Sequence, residues 1–140
     1  MEPECRLHGA GTDPRRLVGR RLERVIAAWH HYGSEAPTDP LDVWLVDDHE
    51  GCTHVTTGPD WCLIVAESPP HEGYDMQEYG RVEVGPIGGA TPFARHLGEE
   101  VLAVAQEHEP RTGRIALDLV FPSGRVRCRS WEGDLRLSGA

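Results

Sequence analysis

Residues 47–54 read "DDHEGCTH" and pack two Asp, two His, one Glu and one Cys into eight positions. His49, Cys52 and His54 are side-chain types that hold zinc, with Asp47, Asp48 and Glu50 beside them. On a strand, Cys52 and His54 point to one face and are placed to share an ion. Two features weigh against a metal. The spacing matches no zinc signature, and the corresponding stretch later in the chain, "FPSGRVR" (121–127), holds no ligand. A polar hairpin tip is expected from turn chemistry alone. His49, Cys52 and His54 are therefore weak metal candidates, and no metal or cofactor is expected.

Other chemistry has thinner support. All 14 basic residues are Arg, so neither a Schiff-base lysine nor a P-loop lysine exists. No GxSxG elbow occurs. The pairs Asp47–Asp48 and Glu99–Glu100 are sequence neighbours, which point opposite ways in extended chain. His30, His31 and His108 end two otherwise similar segments, with no partner identifiable from sequence. The glycines of "PIGGA" (86–90) read as a linker. No catalytic residue is assigned, and the reading leans away from an enzyme.

Aromatic residues are the remaining signal, because Trp and Tyr are enriched where partners bind. Trp44 lies on the outward face if Leu41, Val43 and Leu45 point in. Tyr74 and Tyr79 flank the acidic stretch "HEGYDMQEYGR" (71–81), and Trp61 and Trp131 sit near two corresponding turns.

The elements that position these residues follow from a repeat. "LDVWLVDDHEGCTHVTTGPDWCLIV" (41–65) parallels "IALDLVFPSGRVRCRSWEGDLRL" (115–137). Both read as strand, tight turn ending in Gly, strand, second turn, strand. Leu41, Val43 and Leu45 match Ile115, Leu117 and Leu119, Gly51 matches Gly124, and Cys62 and Ile64 match Leu135 and Leu137. The matched positions recur at period two, as in half-buried antiparallel strands. Upstream, "DPRRLVGRRLERVIAAW" (13–29) parallels "TPFARHLGEEVLAVAQEH" (91–108). Asp13 and Thr91 are capping residues followed by Pro at the first helical position. A short helix stopping at Gly19 or Gly98 and then a strand is expected in each copy; the alternative is an α+β fold with two longer helices.

The expected fold is mainly β: one domain over 1–140, with a pseudo-repeat at about 13–66, a linker at about 67–90 and a second pseudo-repeat at about 91–138. About eight antiparallel strands would form a barrel or a sandwich, with Arg81–Val84 a possible edge strand.

At 140 residues and 39% apolar content the chain can bury a core without staples. No apolar run is long enough to span a membrane, and nothing near Met1 reads as a secretory signal. A cytoplasmic protein is expected. Its four cysteines (Cys5, Cys52, Cys62, Cys128) are then reduced thiols, at least two of them in the core. The lack of Lys and Asn, whose codons are AT-rich, points to a high-GC bacterium such as an actinobacterium.

Net charge is −9, unevenly spread. Residues 32–109 hold two Arg against 16 acids, whereas the segments on either side carry an excess of Arg. The acidic middle argues against duplex nucleic acid and suits a basic protein partner.

The pattern carried by "LVGRRLERV" and "LDVWLVDDHEG", and again by "HLGEEVLAV" and "IALDLVFPSGRVRC", resembles small actinobacterial β-meander proteins of unassigned function, some of toxin-immunity type. The resemblance implies a fold type and permits an interaction role. The expected function is a small acidic, non-catalytic binding protein, in its sharpest form an immunity-type protein. It would engage a basic partner through Trp44, Asp47, Asp48, Glu50, Tyr74 and Tyr79. The alternative is a small β-barrel enzyme or ligand-binding protein, cyclase- or isomerase-like, acting on a small molecule.

Overall fold

The computed structural model describes residues 13–31, 39–58, 61–87, 91–110, 112–131 and 134–139. Ten strands follow in chain order: β1 (Leu22–His31), β2 (Asp42–Asp47), β3 (Cys52–Thr57), β4 (Leu63–Glu67), β5 (Tyr74–Asp75), β6 (Arg81–Pro86), β7 (Ala103–Glu109), β8 (Gly113–Phe121), β9 (Gly124–Trp131) and β10 (Asp134–Gly139). They form two antiparallel sheets, of order β4-β3-β2-β1-β6-β5 and β10-β9-β8-β7. The sheets do not close into a barrel. Two longer helices do not form either: the segments read as ambiguous become β1 and β7. Where short helices were expected there are single 3₁₀ turns, Pro14–Leu17 and Pro92–His96.

Alternation decides what faces inward. Val25 pairs with Leu45 and Ala27 with Val43 across β1 and β2, and Val43 pairs with Val55 across β2 and β3. In the other sheet Leu117 pairs with Cys128 and Leu119 with Val126. These side chains meet in one buried cluster, so the two sheets share one core and their inner faces cover each other. Leu17 and Phe93 enter that cluster from the two 3₁₀ turns. Each turn is capped as the sequence suggests: the Asp13 carboxylate accepts from Arg15 N, and the Thr91 hydroxyl from Phe93 N. Leu41, expected to point inward with Val43 and Leu45, lies before β2 and is exposed.

After each turn comes a glycine in the left-handed region, Gly19 at φ 88° and Gly98 at φ 85°, which glycine adopts without the Cβ clash other residues suffer. The chain then crosses to the other half. Gly19 N donates to Val101 O (2.8 Å) and Gly98 N to Leu22 O (2.6 Å); Leu22 N donates to Glu99 O (2.9 Å) and Val101 N to Arg20 O (2.8 Å). The four bonds interchange when Gly19, Arg20 and Leu22 are swapped for Gly98, Glu99 and Val101.

The first sheet also carries a partly buried apolar cluster on its other face. Its outer side carries Ile26, Ala28, Trp44, Cys52, Val82 and Val84 with Met76 against them. Cys128 is a free thiol in the core, pushed by burial up to about 12, so it holds no thiolate at neutral pH. Cys52 is also free. Cys62 is disulfide-bonded, which corrects the expectation of four reduced thiols; Cys5 lies outside the described residues. Among the described residues no helix is long and apolar enough to cross a membrane.

Candidate functional site: an acidic arm over the first sheet

Residues 67–80 leave the end of β4 and return along the far edge of the sheet as β5 and a 3₁₀ turn, Gln77–Tyr79. This arm carries Glu67, Glu72, Asp75 and Glu78 and no Arg, and all four acids are exposed. Its path is dictated at two points. A Cβ on Gly73 would stand 2.5 Å from Val82 O, so only glycine lets the arm lie this close to β6. Asp75 accepts a bond from Gln77 N (2.7 Å), and Met76 N donates to Gly80 O (2.7 Å), which closes the loop at its tip.

Trp44 holds the arm from beneath. It does lie on the face opposite Val43 and Leu45, but it is 0% exposed. Its indole stacks on His54, with ring centres 4.8 Å apart, and meets the edge of His71 at 5.0 Å. His71 in turn lies 5.9 Å from the Tyr74 ring. Trp44 is therefore not a residue a partner touches; it is the floor on which His71 and the arm rest. Tyr74, at the outer end of this stack, is 52% exposed and lines a cleft of about 490 Å³ with Asp75, Gln77 and Arg81.

Asp42 joins the stack electrostatically. One carboxylate oxygen accepts from His54 Nε2 (2.7 Å) and the other lies 3.8 Å from His71 Nε2. His71 Nδ1 donates to Glu72 O (2.9 Å), so Nε2 attracts the carboxylate when the ring is protonated. Burial pushes the Asp42 carboxyl up, but the hydrogen bonds from His54 and Thr56 and the nearby His71 outweigh it, so the group sits below its ordinary value. An Asp–His pair is a proton-transfer arrangement by composition; here it ties the root of β2 to β3 and to the arm.

The turn at 47–51 is a different structure. Asp47 is buried, so it is not the exposed partner-facing acid expected from sequence. Its Oδ1 accepts from His49 N (2.8 Å) and Gly51 N (3.0 Å), and its Oδ2 from Arg20 Nη1 (3.0 Å). Asp48 accepts from Arg21 N (3.0 Å) and from the His49 ring (3.0 Å). The hydrogen bond from the Arg21 backbone, with His49 beside it, holds the Asp48 carboxyl below its ordinary value. Asp48 and Glu50 are exposed.

The three weak metal candidates go separate ways. His49 binds Asp48, His54 binds Asp42, and Cys52 packs in the outer apolar cluster. Among the described residues, ligand atoms of Asp47, Asp48 and His49 do lie within 4.8 Å of one another; Asp47 spends its oxygens on Arg20 and backbone N–H groups. Tyr79 ends the 3₁₀ turn, and its side chain lies outside what the structure describes.

A third polar cluster was not foreseen. His96 is fully buried, stacked on Phe121 at 4.5 Å. Its Nδ1 lies 3.0 Å from Glu99 Oε1 and 3.1 Å from Ser123 Oγ, and Ser123 Oγ donates to Glu99 (3.0 Å). Ser, His and acid meet here, but all on one ring nitrogen. A nucleophile's base needs serine on one nitrogen and acid on the other, so the cluster ties down a hairpin tip. No family model, no curated protein and no solved structure matches the chain.

Proposed function

We propose that this is a small binding protein without catalytic activity that engages a basic protein partner through the acidic arm, an immunity-type role being the sharpest form. The observation that carries this reading is exposed Tyr74 beside a cleft, on an arm with four acids and no Arg, seated on buried Trp44. A half-exposed aromatic with a fixed backbone is a favourable anchor, and the acids around it would steer a cationic surface in. Asp48 and Glu50 are further exposed acids, on the β2–β3 turn at the other end of the first sheet. The test is affinity purification from native cells at low ionic strength, with wild type beside a Tyr74→Ala, Asp75→Arg, Glu78→Arg variant. A basic protein should be retained by wild type, lost by the variant and released by salt. Absence of any such salt-sensitive, variant-sensitive partner overturns the reading.

The alternative, a protein acting on a small molecule, draws support from the 2.7 Å Asp42–His54 bond; a pH-dependent activity abolished by His54→Gln would favour it.

We also infer that the two halves are an internal duplication. The interchange of bonds between Gly19–Leu22 and Gly98–Val101 supports this, as does the same four-strand order in β4-β3-β2-β1 and β10-β9-β8-β7. An actinobacterial origin stays part of this reading, and so does the cytoplasm, although the disulfide at Cys62 weighs against that compartment.

A further inference from the structure

Beyond β4, at the sheet edge away from β5, two half-exposed tryptophans line one cleft of about 540 Å³. Trp61 is 55% exposed and Trp131 50% exposed. Both are held in place. Trp61 adopts φ 67°, a left-handed conformation unfavourable for so bulky a residue. The turn that imposes it is closed by Trp61 N to Gly58 O (3.0 Å) and Gly58 N to Cys62 O (2.9 Å), and Cys62 is disulfide-bonded. Such strain persists where the surroundings over-determine it, often at binding sites. Trp131 ends β9, and the Arg129 guanidinium stands 4.7 Å from its ring centre.

The charges of the cleft decide what it can accept. Among the described residues its walls carry Glu107, Glu109, Arg127 and Arg129, two of each sign. Arg127 is already clamped by Asp118 and Glu107, both at 2.8 Å. A ligand with strong charge of either sign would meet as much repulsion as attraction. A neutral ligand that both donates and accepts hydrogen bonds meets none: carboxylates take its hydroxyl protons and guanidiniums its oxygens. Its apolar faces would lie against the indoles. Sugar rings combine these properties, with C–H faces and hydroxyl edges.

We propose that the cleft between Trp61 and Trp131 binds a neutral oligosaccharide. Trp61 and Trp131 are the stacking platforms, and Glu109 and Arg129 bind the hydroxyls. The site shares no residue with the acidic arm and stands whether or not that arm binds a partner.

The test is calorimetric titration of the full chain with cellohexaose, maltohexaose, hexa-N-acetylchitohexaose, mannohexaose and xylohexaose, with hexaarginine and hexaglutamate as charged probes. At least one hexaose should bind with a Kd below about 1 mM. Trp61→Ala and Trp131→Ala should each weaken it at least about tenfold, and Glu109→Gln less, about three- to tenfold. Trp131→Phe should keep more affinity than Trp131→Ala. Saturation transfer from indole protons to sugar C–H protons should be seen in wild type only. Thermal melts establish that each variant is folded. The proposal is overturned if no hexaose binds, if binding survives both alanine variants, or if a charged hexapeptide binds there and loses affinity in the same variants. That last outcome assigns the cleft to a protein segment.

Discussion

The β2–β3 and β8–β9 hairpin tips perform the same task with the acid on opposite sides of the contact. In the first, a buried acid on the turn, Asp47, reaches back to Arg20, just past the first 3₁₀ turn. In the second, the acid is Glu99, at the corresponding place past the other 3₁₀ turn, and it reaches forward to Ser123 on the hairpin tip. The first tip is stitched by a part-buried ion pair and two backbone bonds to one carboxylate. The second has a hydroxyl, a buried imidazole and a more exposed acid. A polar cluster that reads as a metal site in sequence is thus one of two solutions to tethering a hairpin.

The comparison breaks most severely at Asp47. Asp47→Ala leaves Arg20 without its carboxylate and strips the acceptor from His49 N and Gly51 N. It should destabilise by about 3–5 kcal/mol, read by thermal or urea unfolding. A loss below about 1 kcal/mol would mean that the ion pair is ornamental. Gly51→Ala comes next. Its Cβ would meet Asp47 Oδ2 at 2.7 Å and Arg20 Nη1 at 2.9 Å, and the expected loss is about 1–3 kcal/mol. Ser123→Ala, the counterpart cut in the second tip, should cost about 1 kcal/mol.

Acid sensitivity sharpens the same contrast. The hydrogen bonds from His96 and Ser123 hold the Glu99 carboxyl below its ordinary value. A lowered acid stabilises the fold above its unfolded-state pKa and loses that contribution as pH falls through the folded value. Wild type should therefore lose stability below about pH 4.5, and Glu99→Gln should flatten that part of the profile in pH-dependent melts. The smallest effect belongs to the His49 side chain, an exposed ring bonded to Asp48. His49→Ala should change stability by less than about 0.5 kcal/mol, and a larger change on adding zinc to wild type would revive the metal reading.

Much of the framework was legible from period-two alternation and turn residues. Val43 and Leu45, and Leu117 and Leu119, point inward as read, and Gly19 and Gly98 are the left-handed residues that end the 3₁₀ turns. Trp44 was placed on the correct face, but its burial was not legible. That depends on β6 pairing with β1 and on the arm folding back over the sheet, both set by long-range pairing. Asp42 and His54 could have been found, since alternation places Asp42 and Trp44 on one face and Trp44 pairs with His54 across the hairpin. Nothing local announces His71 above them, nor the fully buried His96. The division of strands between two sheets was likewise hidden, because either a barrel or a sandwich satisfies the same alternation.

The reciprocal bonds between Gly19–Leu22 and Gly98–Val101 carry a consequence for how the chain is made. The strands of the first sheet all precede those of the second in the chain, yet the amides and carbonyls at its root find their partners only once residue 101 has left the ribosome. Phe93, which fills the core between the sheets, emerges late as well. At about 5–20 residues per second, the early strands wait several seconds with their apolar inner face uncovered. A chain released after residue 66 should remain unfolded and chaperone-bound, so folding here is gated by the second half of the message.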